Sequence, residues 1–263
     1  MSSSDIKSSA IKVGIRDRQM SGWCNDEKGE LVSDVFVKPG MNVVDVGCGD
    51  GGYVNFCAKM GANVTFVDIQ EGKVHALEER LKANASGEVK GIVSDCNPIP
   101  IPDGHADLVI STEVLEHVRN PAEFLSEIVR IGSQDATWVL TVPEARGENL
   151  VKGIAPQIYF EEPNHIQIFS SDDFEELVQS CGLEIVRHEY LAGFWAIFYL
   201  LKWATAMPGE TLTDNVQPAT ILWTQTWEEV LNHPNGERMR MALNNALPRC
   251  QVIVARRQGA NAG

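Results

Sequence analysis

The sequence lacks a CxxC pair. Its cysteines, Cys24, Cys48, Cys57, Cys96, Cys181 and Cys250, are scattered. Neither a disulfide framework nor a zinc site is expected, and the thiols read as reduced in a cytoplasmic protein. Excess positive charge is also missing: 22 Lys and Arg face 36 Asp and Glu, a balance of −14. A field of that sign repels phosphate backbones, which argues against nucleic-acid binding but leaves room for a local basic site. No long apolar run is present. The longest, residues 191–207, is interrupted by Lys202 and is too short and polar for a membrane span. The opening MSSSDIKSSA has no apolar centre, so it is not read as a signal peptide. Internal repeats and low-complexity tracts are absent. What remains is ordinary globular composition, 44% apolar over 263 residues, enough for one large domain or one domain with an elaborated insertion.

Residues 1–39 read as a disordered polar tail over 1–10 followed by a helical cap. Pro39-Gly40 then marks a turn. From there apolar β-rich runs alternate with helical spacing. Strands are expected at 42–46, 63–67, 88–94, 106–111, 137–142 and 183–191. Helices are expected at 51–60, 72–83, from Pro121, and from a Ser171 cap through Cys181, with a loop-rich connection over 143–170. This repetition predicts a doubly wound α/β sheet, mainly parallel, over residues 40–191. Residues 192–249 hold four of the six tryptophans, Trp195, Trp203, Trp223 and Trp227, and read as a helical insertion. A last strand at 250–255 precedes a polar tail that ends at 263.

The densest signal is VVDVGCGDGG at 43–52, a buried strand feeding a glycine-rich turn and then a helix. Glycines allow a sharp bend and close approach of a ligand to the main chain, and the helix amides beyond can meet a polar group. Asp68 ends the second strand, where a carboxylate can accept ribose hydroxyls. Asp95 ends the third, where a carboxylate can receive an adenine amino group. Gly47, Gly49 and Gly52 also satisfy the GxGxxG form of nicotinamide dehydrogenases.

The set VVDVGCGDGG, VDIQ, SDCNPIPIPDGHADLVISTEVLEHV and LTVPE resembles the class I S-adenosylmethionine-dependent methyltransferases, particularly the small-molecule group that includes ubiquinone- and menaquinone-pathway enzymes. The acidic residue before the first glycine and the PIPDGHADLVIS–LEHV block favour this family over a dehydrogenase. The resemblance implies a Rossmann-like fold with an antiparallel last strand, and S-adenosylmethionine as cofactor. It implies that Asp45, Gly47 and Gly49 hold the amino-acid part, Asp68 with the adjacent Ile69 the ribose side, and Asp95 and Cys96 the adenine. Ser111, Thr112 and Glu113 would lie beside the methyl. A small-molecule acceptor is implied, with oxygen favoured over nitrogen or carbon. A silent cofactor-binding partner or scaffold is the alternative.

An oxygen acceptor needs a proton removed, and His117 and His165 are the candidate bases. His117 has a second reading as a brace for the following helix. His165 has one as an orienting or structural residue. Glu113, Glu116, His117 and His165 also resemble the metal-binding ExxEH-plus-His set of small-RNA 2′-O-methyltransferases, although no metal ligand is assigned on that likeness. The insertion reads as an auxiliary core, a contact between two copies, or a lid over a partly apolar acceptor.

Overall fold

The computed structural model describes residues 3–83, 85–206 and 217–259, with side chains from residue 9. Residues 1–2 of the expected disordered tail, Met207 of the apolar run and residues 260–263 of the expected polar tail lie outside them. Helix α1 (Ser3–Met20) comes first, followed by an antiparallel hairpin of β1 (Glu30–Val32) and β2 (Val35–Phe36). The core then runs β3 (Asn42–Val46), α2 (Gly52–Lys59), β4 (Asn63–Asp68), α3 (Glu71–Lys82), β5 (Val89–Val93), β6 (Ala106–Thr112), α4 (Pro121–Ile131) and β7 (Gly132–Pro143). It continues through α5 (Ala145–Val151), α6 (Ser171–Ser180) and β8 (Leu183–Leu191). Three helices follow, α7 (Gly193–Ala204), α8 (Pro218–Asn232) and α9 (Gly236–Ala246), and then β9 (Cys250–Arg257).

The main sheet has the order β5-β4-β3-β6-β7-β9-β8, parallel throughout except for β9, which runs antiparallel between β7 and β8. The Rossmann-like expectation with an antiparallel last strand is met. Alternation along the strands separates two cores. Val43, Phe66, Leu108, Ile110 and Val254 belong to one, while Val44, Val67, Val109, Leu140 and Ile253 belong to the other. Burial on both sides is what a parallel sheet flanked by helices requires. The strand order reverses at β3 and β6, so a crevice opens beyond their carboxyl ends.

Several expectations change. Residues 3–10 are helical rather than disordered, because α1 packs on the insertion: Val13, Phe194, Trp227 and Leu231 form one buried cluster. The helix cap is Ser170 rather than Ser171: Ser170 Oγ accepts from the Asp173 amide at 3.2 Å while the Asp173 carboxylate accepts from the Ser170 amide, a reciprocal capping box. Residues 145–151 are helical instead of loop, started by Glu144, whose carboxylate accepts from the Arg146 amide at 2.7 Å. Strand β7 begins at Gly132, paired with Ala106 across a register shift. Arg256 and Arg257 belong to β9, and Arg257 donates to the Val129 and Gly132 carbonyls. Among the described residues no helix is long and apolar enough to cross a membrane.

Candidate functional site

The bend after β3 is held by two amides. Gly47 and Cys48 donate to the Val67 carbonyl at 2.8 and 3.2 Å, fastening the turn to β4. Gly47 has φ +78°, and a Cβ there would overlap the side chain of Val114. Gly49 has φ +53°, and a Cβ there would meet nothing within 4 Å, so the turn presents bare backbone to open space. Asp68 clamps the other side of the turn: one oxygen accepts from the Gly49 amide and the other from the Gln70 amide, both at 2.9 Å.

A groove of about 570 Å³ lies on this rim. Gly47, Gly49, Asp68, Ile69, Asp95, Cys96, Glu113 and His117 all line it, together with Val114 and Phe124. Ile69 is 69% exposed at its lip. Asp95 accepts from the Asn97 amide at 3.1 Å, and the Cys96 amide donates to Ser94 Oγ at 3.0 Å. Asp45 and Ser111 are not among the lining residues. Both are buried, and their side-chain oxygens have no hydrogen-bond partner among the described residues. Burial, reinforced by the Asp68 charge, pushes the Asp45 carboxyl up to about 7.

A second, inner cavity of about 300 Å³ lies on the other side of Glu113. Its walls come from distant parts of the chain: Arg18 of α1, Trp23, Tyr53 of α2, Thr141 of β7, Trp195 and Tyr199 of α7, and Arg249. Glu113 is the one residue common to the two linings. Its backbone is left-handed, φ +54°. Its amide donates to the Thr141 carbonyl at 3.0 Å, and Thr141 Oγ1 donates to its carboxylate at 3.1 Å. Burial raises the Glu113 carboxyl, against the lowering pull of Arg249 and Thr141.

The two histidines stand edge to face, 5.2 Å between ring centres. His117 Nδ1 is 3.0 Å from the Pro163 carbonyl. His165 lines neither cavity, and its Nδ1 lies 2.9 Å from Glu148. Glu148 is the hub of a buried network. It also accepts from Tyr159 at 3.0 Å and pairs with Arg249 at 2.6 Å. Burial pushes the Glu148 carboxyl up, but the His165 hydrogen bond and the Arg249 charge outweigh it and hold the group below its usual range. Glu116 is fully buried; neither oxygen has a hydrogen bond among the described residues, although Oε1 lies 3.6 Å from His117 Nε2, and burial and Glu113 push its carboxyl well up. Ligand atoms of Glu116, His117 and His165 lie within 4.8 Å of one another, a spacing that could hold a divalent cation. Glu113, the fourth member of the expected set, bonds Thr141 instead.

Gly47, Gly49, Asp68, Ile69, Asp95, Cys96 and Glu113 are legible in the sequence, since they follow strands or sit in the glycine turn, and Trp195 and Tyr199 fall in the insertion read as a possible lid. Val114 and Phe124 carry no such signal, and neither do Arg18, Tyr53 and Arg249. They are far apart in sequence and no local pattern joins them.

The methyltransferase-domain family matches residues 17–188. The chain belongs to that family. The family's cofactor is S-adenosylmethionine. A probable tocopherol O-methyltransferase of Oryza sativa subsp. japonica, named as chloroplastic, is 31% identical over 186 residues, covering 62% of this chain and 49% of its own length. A sterol 24-C-methyltransferase of Gibberella zeae is 29% identical over 171 residues, 62% of this chain and 44% of its own. The chain therefore spans about half the length of these curated relatives. Their names place the methyl on oxygen in one case and carbon in the other, so membership does not select the atom. Among solved structures, the [4+2]-cyclase SpnF superposes with a TM-score of 0.58 at 17% identity, over 92% of this chain and 81% of that one. At that identity the likeness is one of fold.

Proposed function

We propose that this chain methylates an oxygen of a small organic acceptor, using S-adenosylmethionine, with Glu113 as the residue that takes the acceptor's proton. The observation that carries the reading is the position of Glu113, lining both the nucleoside-type groove and the inner cavity. The groove residues fit the cofactor. Behind that lining, the buried Asp45 carboxylate has no hydrogen-bond partner among the described residues, as a site for an ammonium would, and the open backbone at Gly49 leaves room for a close approach. When bound, the cofactor supplies an electrophilic methyl on sulfur. The protein's tasks are then alignment, exclusion of water and proton removal.

Asp68 would hold the ribose hydroxyls on the lone pairs that its two amide donors leave free, and Asp95 the adenine amino group. Glu113, with Thr141 fixing one oxygen, would accept the hydroxyl proton as the new O–C bond forms. His117, on the groove side, would contact the cofactor or acceptor. His165 would orient the loop through Glu148. The six cysteines, all free, suit a reducing compartment such as the cytoplasm. The roofing helices α7–α9 would serve as a lid rather than as a contact between copies, because α7 furnishes Trp195 and Tyr199 to the inner cavity.

Calorimetry with S-adenosylhomocysteine, followed by product formation on a panel of phenols, alcohols and amines, tests this. Binding with turnover on hydroxyl acceptors supports it. Absence of binding removes it, and binding without turnover on any acceptor leaves the silent scaffold.

A further inference from the structure

The inner cavity holds a cation without a direct polar partner. Arg18 lies in the last turn of α1, with its guanidinium carbon 5.6 Å from the ring centre of Trp23 and 5.6 Å from that of Tyr53. The two ring centres are themselves 5.6 Å apart, so both rings lie to one side of the guanidinium. Among the described residues its side chain has no hydrogen bond and no ion pair. Of the cavity's other charges, Arg249 is paired with Glu148, while Asp17 accepts from the Trp227 indole at 2.9 Å and Glu113 from Thr141; these two carboxylates act on Arg18 through space, without a direct ion pair.

We infer that Arg18 recognises a carboxylate on the acceptor, and that the acceptor is an aromatic hydroxy acid. The inference rests on the inner cavity being the acceptor side. Methyl transfer requires a site closed to water. Arg18 lines the cavity while remaining exposed; an acceptor seated there strips part of its water, and a guanidinium that loses water without gaining a partner is disfavoured. A neutral acceptor carries that cost. A carboxylate removes it and matches the planar fork of N–H donors with two parallel hydrogen bonds. The aromatic body follows from the walls: Trp23 and Tyr53 on one side, Trp195 and Tyr199 of α7 among the others. About 300 Å³ suits one ring with short substituents. The hydroxyl end then faces Glu113 while the carboxylate faces Arg18. In a chain of net charge −14, a local cation is also what keeps an acidic ligand from being repelled.

The test is calorimetric, on the full chain saturated with S-adenosylhomocysteine. The probes are 3-hydroxybenzoate, 4-hydroxybenzoate, 3,4-dihydroxybenzoate, 4-hydroxyphenylacetate and 3,4-dihydroxycinnamate, each against its own primary amide. At least one acid should bind tenfold or more tightly than its amide. Arg18→Gln should bring the pair to within about twofold, with S-adenosylhomocysteine affinity unchanged. The inference is overturned if no acid outbinds its amide, or if the preference survives Arg18→Gln. The acid–amide comparison on the wild type stands even if the variant folds poorly. Failure of the wild type to bind S-adenosylhomocysteine at all would instead strike the methyltransferase reading.

Discussion

Trp227 donates its indole N–H to Asp17 at 2.9 Å, joining α8 to α1 across 210 residues of sequence. Asp17 is 2% exposed, and burial pushes its carboxyl up in spite of that hydrogen bond. Trp227→Phe keeps an aromatic ring and deletes the donor. The expected loss is about 1–3 kcal/mol, the cost of leaving a buried acceptor unsatisfied. Denaturant midpoints of wild type and variant measure it, and an unchanged midpoint would show that this hydrogen bond adds nothing to the apolar packing and the Arg16 contacts that also hold α1.

Asp45 makes stability depend on pH. Its folded-state carboxyl is raised from 3.8 to about 7, so the folded chain holds that proton more tightly than the unfolded chain. Stability without cofactor should therefore fall as pH rises through that interval, by on the order of 4 kcal/mol from this group. Asp45→Asn should flatten that part of the curve, as should saturation with S-adenosylhomocysteine, whose ammonium group, on the proposed binding mode, would offset the ionised carboxylate. Melting temperatures from pH 4 to 8 provide the check.

Glu113→Gln should lower turnover by about 10²–10⁴-fold, the usual contribution of a positioned base. Cofactor affinity should stay within a few-fold of wild type, since the amide keeps a carbonyl for Thr141 Oγ1. Because burial raises the Glu113 carboxyl, the acid limb of kcat/KM should lie above the pH of an ordinary glutamate. A full-rate Glu113→Gln enzyme would return the base role to His117.

The Glu116 carboxylate, without a hydrogen bond among the described residues and beside His117 and His165, should attract a divalent cation. Titration with Mg²⁺, Mn²⁺ or Zn²⁺ should raise the melting temperature of the wild type and not of Glu116→Gln. If no ion shifts it, the three side chains do not form a metal site.

Gly14 lies under Trp195, and a Cβ there would overlap the indole. Gly14→Ala should displace that wall of the inner cavity and raise acceptor KM at least several-fold, while S-adenosylhomocysteine binding is unaffected. Equal loss of both affinities would mean that α1 also supports the groove.

The central strands were legible because their residues are β-branched, buried on both sides and bounded by glycine turns. The span of β3 (Asn42–Val46) is as expected from the sequence. The carboxylates Asp68 and Asp95 were legible for a related reason, because a strand end in a parallel sheet fixes which rim a side chain occupies. Helix α5 was hidden by Gly147 and by weak apolar spacing in ARGENLV. The helical state of residues 3–10 was hidden because it depends on packing against residues more than 180 positions away. Arg18 gave no signal at all. Its environment is assembled by Trp23 from the following loop and Tyr53 from α2.

On the proposed function, the acceptor-facing wall draws on segments on either side of the strand-and-turn platform, α1 before it and α7 after it. The methyl donor's seat would then meet the surface that selects what receives the methyl only at Glu113. Diversifying positions on those two helices alone offers a route to altered selectivity that leaves the donor platform untouched.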